Sequence, residues 1–350
     1  MLPLPGGRFG AVSRESLRHP VEKFAFTTIM NLSPRFQRRL AGRPVVLDGQ
    51  TLAVDTQLML RLTRLAGEPD PSTLSIEQGR EALQRQTVLA GGVQKIGSVR
   101  TLKVGDLPAR LYIPTGAPAS GPLLVFLHGG GFIYGDLASH DSACRLLGET
   151  AGVRVLAIDY RLAPEHPFPA AYDDSLAAFD WAHAHAAEIG ADTTRIGVGG
   201  DSAGGNLAAG VALAARERCA FQLLLYPVTD MVAETESRRL FGEGFYLTTS
   251  FMDRASVSYV PEGADPRDPR LSPFYAEVPE GVAPAYVATA GFDPLRDEGE
   301  AYARKLEQAG VKVELRRFAD QIHGFVNVIG AGHSAKAATI EVAAALKAGL

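Results

Sequence analysis

The 350-residue chain contains very little cysteine, only Cys144 and Cys219. Two thiols cannot supply the disulfide framework of a small secreted domain, so we expect a reducing compartment, by default the cytoplasm. The stretch from Met1 to Gly7 lacks the charged and apolar regions of a signal peptide, and none is expected. No apolar run approaches the roughly 18 residues of a membrane span, so no integral membrane segment is expected either.

A net positive charge is also absent, since 35 Lys and Arg stand against 39 Asp and Glu and the formal net charge is −4. The chain therefore lacks the basic field that nucleic acid binding requires. The charge is uneven, however, since residues 1–45 carry eight Arg or Lys against two Glu. We interpret this region as a solvated helical cap. The alternative, an amphipathic helix that lies on a membrane or lipid droplet, stays open.

Metal-binding motifs are missing as well. The histidines and carboxylates show no H-E-x-x-H or comparable ligand spacing, so the sequence predicts neither a metal site nor a cofactor. What the chain does contain is apolar residues, at 46%, arranged as short continuous runs separated by helical segments. This alternation predicts an α/β fold with a doubly wound, mostly parallel sheet. The predicted strands of that sheet are 123–128, 153–159, 195–199, 221–226, 285–291 and 311–318, preceded by a hairpin over 97–114.

Two regions lie outside this strand rhythm. Residues 1–74 contain only short helical patterns, at 21–32, 34–40 and 56–66. Residues 228–283, called the insertion below, are rich in Pro, Gly and charge, with one helical piece over 249–259. We expect both regions to form a helical cap over a catalytic core made of residues 75–227 and 284–350. Ser75 and Gln78 fit a capping box at the start of that core.

The pentapeptide from Gly200 to Gly204 has the pattern G-x-S-x-G, with Ser202 at its centre. It stands between a predicted strand and a predicted helix, which is the context of a nucleophile elbow. The glycines allow a sharp turn that lifts the serine hydroxyl out of the sheet. The alternative is a glycine-rich loop with an incidental serine.

A serine nucleophile needs a base and an acid to orient that base. Asp293 directly follows one predicted strand, and His323 follows the next, in the chain order Ser, acid, His that is typical of α/β-hydrolases. Asp297 and Glu298 are competing acids. We favour Asp293 because the other two lie further into the following helix and further from the sheet edge.

The stretch His128-Gly129-Gly130-Gly131, called the oxyanion loop below, follows the strand over 123–128. Such a loop supplies backbone N–H groups to the oxyanion of an acyl-transfer intermediate, together with the N–H of the residue after the nucleophile, Ala203. The sequence alone does not decide which two glycines donate. A phosphate-binding loop is disfavoured, because Phe132, Ile133 and Tyr134 follow instead of Lys and Ser or Thr.

Taken together, these motifs resemble the hormone-sensitive-lipase-like esterases, the bacterial family IV carboxylesterases, in their G-D-S-A-G branch. The resemblance covers roughly residues 75–350. It rests on HGGGF at 128–132, YRLAPEHPFPA at 160–170, GDSAG at 200–204, DPLRDE at 293–298 and HGF at 323–325.

This resemblance implies an α/β-hydrolase core with a helical cap. It implies a Ser202–His323–Asp293 triad and an oxyanion hole formed by Gly129, Gly130 and Ala203, with Gly131 as a turn residue. It also suggests Arg161 and Glu165 as a buried pair beneath the site.

We therefore expect a serine carboxylesterase that hydrolyses small-molecule esters of short to medium chain length through an acyl-enzyme, since a roof of short helices leaves a limited apolar channel. An amidase, lactonase or acyltransferase with the same triad is an alternative. A non-catalytic ligand receptor on the same fold is another, disfavoured because His323 is present. A homodimer is an open expectation.

Overall fold

The computed structural model describes residues 26–67 and 69–350. Of the predicted helix over 21–32, residues 26–30 are helical, and the part before them lies outside the described residues, as do four of the basic residues of the N-terminal region. Helix α1 (Pro34–Ala41), a two-residue hairpin of β1 (Val46–Leu47) and β2 (Gln50–Thr51), and helix α2 (Val54–Leu65) follow.

The core is an eight-stranded sheet. Its strands are β3 (Ser98–Val104), β4 (Leu107–Ile113), β5 (Gly121–Leu127), β6 (Arg154–Ile158), β7 (Ala191–Asp201), β8 (Gln222–Leu225), β9 (Ala285–Phe292) and β10 (Val313–Ile322). They are arranged in the order β10-β9-β8-β7-β5-β6-β4-β3. Strands β3 and β4 form an antiparallel hairpin and β4 pairs antiparallel with β6, while all other neighbours are parallel. The prediction of a mostly parallel, doubly wound sheet is confirmed.

Every residue of β5, β6, β8 and β9 is buried, as expected of parallel strands covered on both faces. The core helices are α3 (Ile76–Gly91), α4 (Asp141–Ala151), α5 (Ala170–Ala184), α6 (Ala186–Ile189), α7 (Ala203–Ala215), α10 (Arg296–Gln308) and α11 (Ser334–Gly349). One face of the sheet packs against α5, α7 and α10, and the other against α4, α11 and α2. Among the described residues, no helix has the length and apolar character needed to cross a membrane.

Local sequence explains where several helices begin and end. The capping box is present, since the Ser75 hydroxyl accepts the Gln78 N–H and the Gln78 side chain accepts the Ser75 N–H. The helical stretch over 170–189 is divided into α5 and α6, because the chain leaves helical geometry at His185. There the imidazole bonds to the Trp181 carbonyl and stacks on the Trp181 ring, which ends α5.

The insertion holds two helices, α8 (Glu236–Phe241) and α9 (Thr249–Tyr259), and a 3₁₀ turn over Pro273–Tyr275. The second of these helices was expected and the first was not. Helix α8 has six residues, three of them charged, so it shows no apolar periodicity that a sequence could reveal. Contacts with the core hold it in place instead.

Residues 46–65 are anchored to the core beside β10. The buried Asp55 carboxylate accepts the N–H groups of His333 and Ser334 and so caps the start of α11. The Ala53 N–H donates to the carbonyl of Asp320 at the end of β10. This N-terminal segment therefore lies at the strand ends where the site is found.

Candidate active site

Ser202 occupies a sharp turn between β7 and α7. Its φ of 56° lies in the left-handed region, which is a strained conformation for a non-glycine residue and is typical of functional sites. The flanking glycines are required sterically, because a Cβ at Gly204 would collide with the Leu127 backbone and one at Gly200 would collide with Gly204. The turn directs the serine side chain toward the strand ends.

A chain of hydrogen bonds links Ser202, His323 and Asp293. The Ser202 Oγ lies 2.9 Å from His323 Nε2, and His323 Nδ1 lies 2.8 Å from the Asp293 Oδ2. Asp293 is fully buried, while Ser202 and His323 keep 8% and 6% of their surface exposed. The other Asp293 oxygen accepts the Leu295 N–H, which fixes the carboxylate. With Nδ1 protonated toward Asp293, Nε2 can accept the serine proton.

The two competing acids have other partners. Asp297 accepts the Ser237 N–H at 2.8 Å and pairs with Arg296. Glu298 is buried, pairs with Arg238 at 2.7 Å and accepts the Thr229 N–H. Burial raises the pKa of Glu298, although Arg238 and these N–H groups oppose the rise. Both carboxylates tie the insertion to α10, and neither contacts His323.

The oxyanion loop requires a correction to the sequence-based assignment. The Gly129 N–H donates to Asp201 Oδ1 at 2.9 Å, so it is not available to an oxyanion. The N–H groups of Gly130, Gly131 and Ala203 make no hydrogen bond within the described part of the chain. Gly130 and Gly131 have φ values of 123° and 63°, so both residues take backbone conformations that glycine tolerates best. The free donors are therefore those of the second and third glycines and of Ala203.

Three residues beside the site, Asp201, His140 and Asn327, are not predicted from the sequence to have a role. Asp201 is a variable position of the G-x-S-x-G motif, and His140 precedes helix α4 instead of following a strand of the sheet. Both are buried and lie against Asn327. An aspartate within an otherwise small and apolar elbow was the one available signal, because a buried carboxylate must find donors.

The expected Arg161–Glu165 pair is wrong. Arg161 forms a bidentate contact with Asp174 on α5, and Glu165 pairs with Arg80 on α3 at 2.6 Å. Arg161 and Glu165 remain half exposed, at 45% and 53% of their side-chain surface. The segment over 160–170 is thus held by salt bridges to α5 and α3 rather than by a pair within the segment.

Helix α9 of the insertion lies directly on the oxyanion loop. A Cβ at Gly131 would lie 3.0 Å from the Ala255 Cβ and 3.2 Å from the Phe251 ring. Phe132 stacks on Tyr259 with a centroid distance of 3.9 Å. Arg254 donates to the carbonyls of Pro71 and Ser72, which ties α9 to the N-terminal segment. Helix α9 therefore packs against the loop that carries the free N–H groups.

The parallel sheet, the strained serine between strand and helix, and the histidine and aspartate after the next strand ends define the class of protein as an α/β hydrolase. Comparison with known proteins agrees. A family described by the alpha/beta hydrolase fold matches residues 124–327. The chain belongs to this family, and its resemblance to the hormone-sensitive-lipase-like esterases is confirmed.

Its relatives are esterases. LipN, a carboxylic ester hydrolase of Mycobacterium tuberculosis, is 47% identical over 325 residues, which cover 89% of this chain and 86% of that protein. An ethyl acetate hydrolase of Pseudomonas putida is 42% identical and covers 66% of this chain and 75% of its own. The structure of an ester hydrolase from the Lake Arreo metagenome has a TM-score of 0.81 at 41% identity and covers 85% of this chain and 98% of its own.

Proposed function

We propose that this chain is a serine carboxylesterase in which Ser202 is the nucleophile, His323 the general base and Asp293 the residue that orients the histidine. The observation that carries the proposal is the continuous hydrogen-bond chain from Asp293 through His323 to Ser202, with distances of 2.8 and 2.9 Å. The relatives named as ester hydrolases support the same reaction.

The reaction follows from this geometry. Ser202 Oγ attacks the ester carbonyl carbon while His323 Nε2 takes the hydroxyl proton, and Asp293 stabilises the resulting imidazolium. The tetrahedral intermediate collapses, and Nε2 gives the proton to the departing alcohol. Water then attacks the acyl-enzyme by the same steps and releases the acid. The imidazole must therefore be neutral at the start of each half-reaction.

In this mechanism the developing oxyanion is held by the N–H groups of Gly130, Gly131 and Ala203. Their lack of other acceptors in the described residues supports this assignment. Losing one such donor typically costs about 10²–10³ in rate. The N–H of Gly129 has a different task, since it is bonded to Asp201.

We assign the cap to residues 1–74 and 228–283, and the catalytic core to residues 75–227 and 284–350. The contacts of Phe251 and Ala255 with the oxyanion loop support a roof over the cleft. A roof of short helices leaves limited apolar wall, so substrates are small esters with short to medium acyl chains. The ethyl acetate hydrolase among the relatives favours the short end of this range.

The test is hydrolysis of a series of p-nitrophenyl esters from acetate to palmitate. We expect kcat/KM to rise with chain length, peak at short to medium length and then fall. A parallel set of p-nitroanilides and lactones tests the amidase and lactonase alternatives. A protein that hydrolyses none of these substrates and is not labelled by a fluorophosphonate at Ser202 would contradict the esterase proposal and favour the receptor alternative.

The expectations for oligomeric state and cellular location remain predictions. One is a homodimer, which sedimentation of the purified protein would test. The other is a reducing, cytoplasmic location, which rests on the two cysteines, both buried and unpaired.

A further inference from the structure

A buried carboxylate joins the loops that surround Ser202. Asp201, 2% exposed, accepts the Gly129 N–H at 2.9 Å and lies 3.2 Å from His140 Nε2. Its second oxygen accepts from the Tyr226 hydroxyl and the Asn327 amide, both at 3.4 Å. The Asn327 amide also lies 3.2 Å from His140 Nε2. The carboxylate therefore contacts the oxyanion loop, strand β8's end, and the turn that follows His323.

Burying an unpaired carboxylate costs free energy, so the charge of Asp201 depends on the groups that bond to it. Burial alone would raise the pKa of Asp201, but His140, the Gly129 N–H and His323 outweigh burial and lower the pKa below its ordinary value. Asp201 is therefore an ionised acceptor, and hydrogen bonds to an ionised group are stronger and shorter than those between neutral groups.

The Gly129 N–H is the point at which this carboxylate acts on the oxyanion loop. On the far side of the loop, the His128 ring bonds to the Gly129 carbonyl and stacks on Tyr160 at a centroid distance of 4.3 Å. The Tyr160 hydroxyl donates to the His128 carbonyl at 2.7 Å. Those contacts hold the loop to β6's end, whereas the Asp201 bond is its link to the residue next to the nucleophile.

The fit around Gly129 is tight. A Cβ there would lie 2.6 Å from Asp201 Oδ2, so the carboxylate occupies the space of a missing side chain. The Asp201 bond holds the peptide before Gly129, and the His128 ring holds the Gly129 carbonyl in the peptide after it. Because the peptide bond is planar, fixing that carbonyl also fixes the direction of the Gly130 N–H in the same peptide. A shift of about 1 Å in such donors is enough to lower a rate substantially.

We propose that Asp201 is a positioning residue that fixes the oxyanion loop relative to Ser202, and that Asn327 extends this link to the loop of His323. This proposal rests on the proposed esterase function. It gives the aspartate of the G-D-S-A-G sequence a role in aiming the Gly130 and Gly131 N–H groups, rather than a direct role in chemistry.

The test compares Asp201→Asn with wild type in two measurements. The first is kcat/KM for p-nitrophenyl butyrate. The second is the Ki of an alkyl trifluoromethyl ketone, whose hemiketal oxygen occupies the oxyanion position. We expect both to worsen together by about 10–100-fold, less than the effect of deleting a donor outright, with KM nearly unchanged.

The matched control is Asp174→Asn. Asp174 is also a buried aspartate that accepts a main-chain N–H, that of Arg161, and it pairs with the Arg161 side chain. It does not touch the oxyanion loop. We expect this variant to lower the thermal midpoint without changing the ketone Ki. Equal Ki values for the two variants would overturn the proposal.

Asn327→Ala provides a second, milder variant in case Asp201→Asn does not fold. It should raise the ketone Ki by about 3–10-fold, and an unchanged Ki would count against the proposal. The outcomes distinguish a failure of the esterase function from a failure of the positioning role. A wild-type protein that neither hydrolyses the ester nor binds the ketone refutes the esterase function, whereas an active wild type with an unaltered Asp201→Asn refutes only the positioning role.

Discussion

The strand ends of the core and the insertion above them are built in different ways. Ser202, Asp293 and His323 each follow a parallel strand, so their relative positions are set by the hydrogen-bond register of β7, β9 and β10. The insertion contains no strand in the described residues and is held by side chains, among them the Glu298–Arg238 pair. Changes at the strand ends should therefore affect chemistry, while changes in the insertion should affect stability and substrate binding.

The largest expected effect comes from the nucleophile. Ser202→Ala should lower kcat by about 10⁴-fold or more, because no other group can form the acyl-enzyme. The thermal midpoint should stay near that of wild type, since the hydroxyl contributes little packing. Ser175→Ala is the matched control, because Ser175 is fully buried in α5, where its hydroxyl donates to the Ala171 carbonyl. A Ser202→Ala variant with more than a tenth of wild-type activity would remove Ser202 from the mechanism.

The next effect separates the three acids. Asp293→Asn should lower kcat by about 10³–10⁴-fold, because an amide favours the wrong histidine tautomer. Asp297→Asn and Glu298→Gln should lower kcat by less than about tenfold but should lower the thermal midpoint, since both acids hold the insertion to α10. Steady-state kinetics and thermal unfolding of all three variants decide the matter. Greater damage to kcat from Asp297→Asn would overturn the acid assignment.

The difference between the strand ends and the insertion also explains which parts of the fold and site can be predicted from the sequence. The sheet and the positions of Ser202, Asp293 and His323 were accessible because apolar strand runs are local patterns and the strand-end rule converts them into geometry. The direction of one peptide N–H is not a local pattern. The bond from Gly129 to Asp201 joins residues far apart in sequence, and it is what changes the choice of glycines in the oxyanion loop.

The insertion was harder to predict for the same reason. Helix α8 has no apolar periodicity, and its position depends on Asp297 and Glu298. Arg161 and Glu165 are close in sequence, yet each pairs with a helix elsewhere in the chain. Short-range proximity of opposite charges is a weak guide when longer-range partners are available, because flexible side chains can reach several of them.

A smaller effect tests the contact between insertion and core. Arg254→Ala removes two bonds from α9 to the carbonyls of Pro71 and Ser72. Because α9 rests on Gly131, we expect kcat/KM to fall by about 3–10-fold, mainly through KM. Arg267→Ala is the control in the same insertion, since Arg267 lies over the Tyr275 ring instead. Equal KM values for the two variants would show that this anchoring of α9 does not affect substrate binding.

The smallest expected effect lies at a strand end that the site does not use. Asp159 follows β6, and its carboxylate makes no hydrogen bond or ion pair within the described residues. Burial, together with the nearby Asp136 charge, raises its pKa to about 6.

Because the pKa of Asp159 is higher in the folded state than in the unfolded chain, this group makes the protein less stable as pH rises from about 4 to about 6. Asp159→Asn should therefore raise the free energy of unfolding at pH 7.5 by about 1 kcal/mol, after allowance for solvent screening, and should give little gain at pH 4. That gain corresponds to a thermal midpoint about 2 °C higher. The partly exposed Asp192, whose pKa is lowered by its bonds to Thr194, provides the control, and Asp192→Asn should show no gain at pH 7.5. Thermal unfolding of both variants across this pH range makes the comparison, and a midpoint gain for Asp159→Asn that is the same at pH 4 and pH 7.5 would mean that its titration is not the cause.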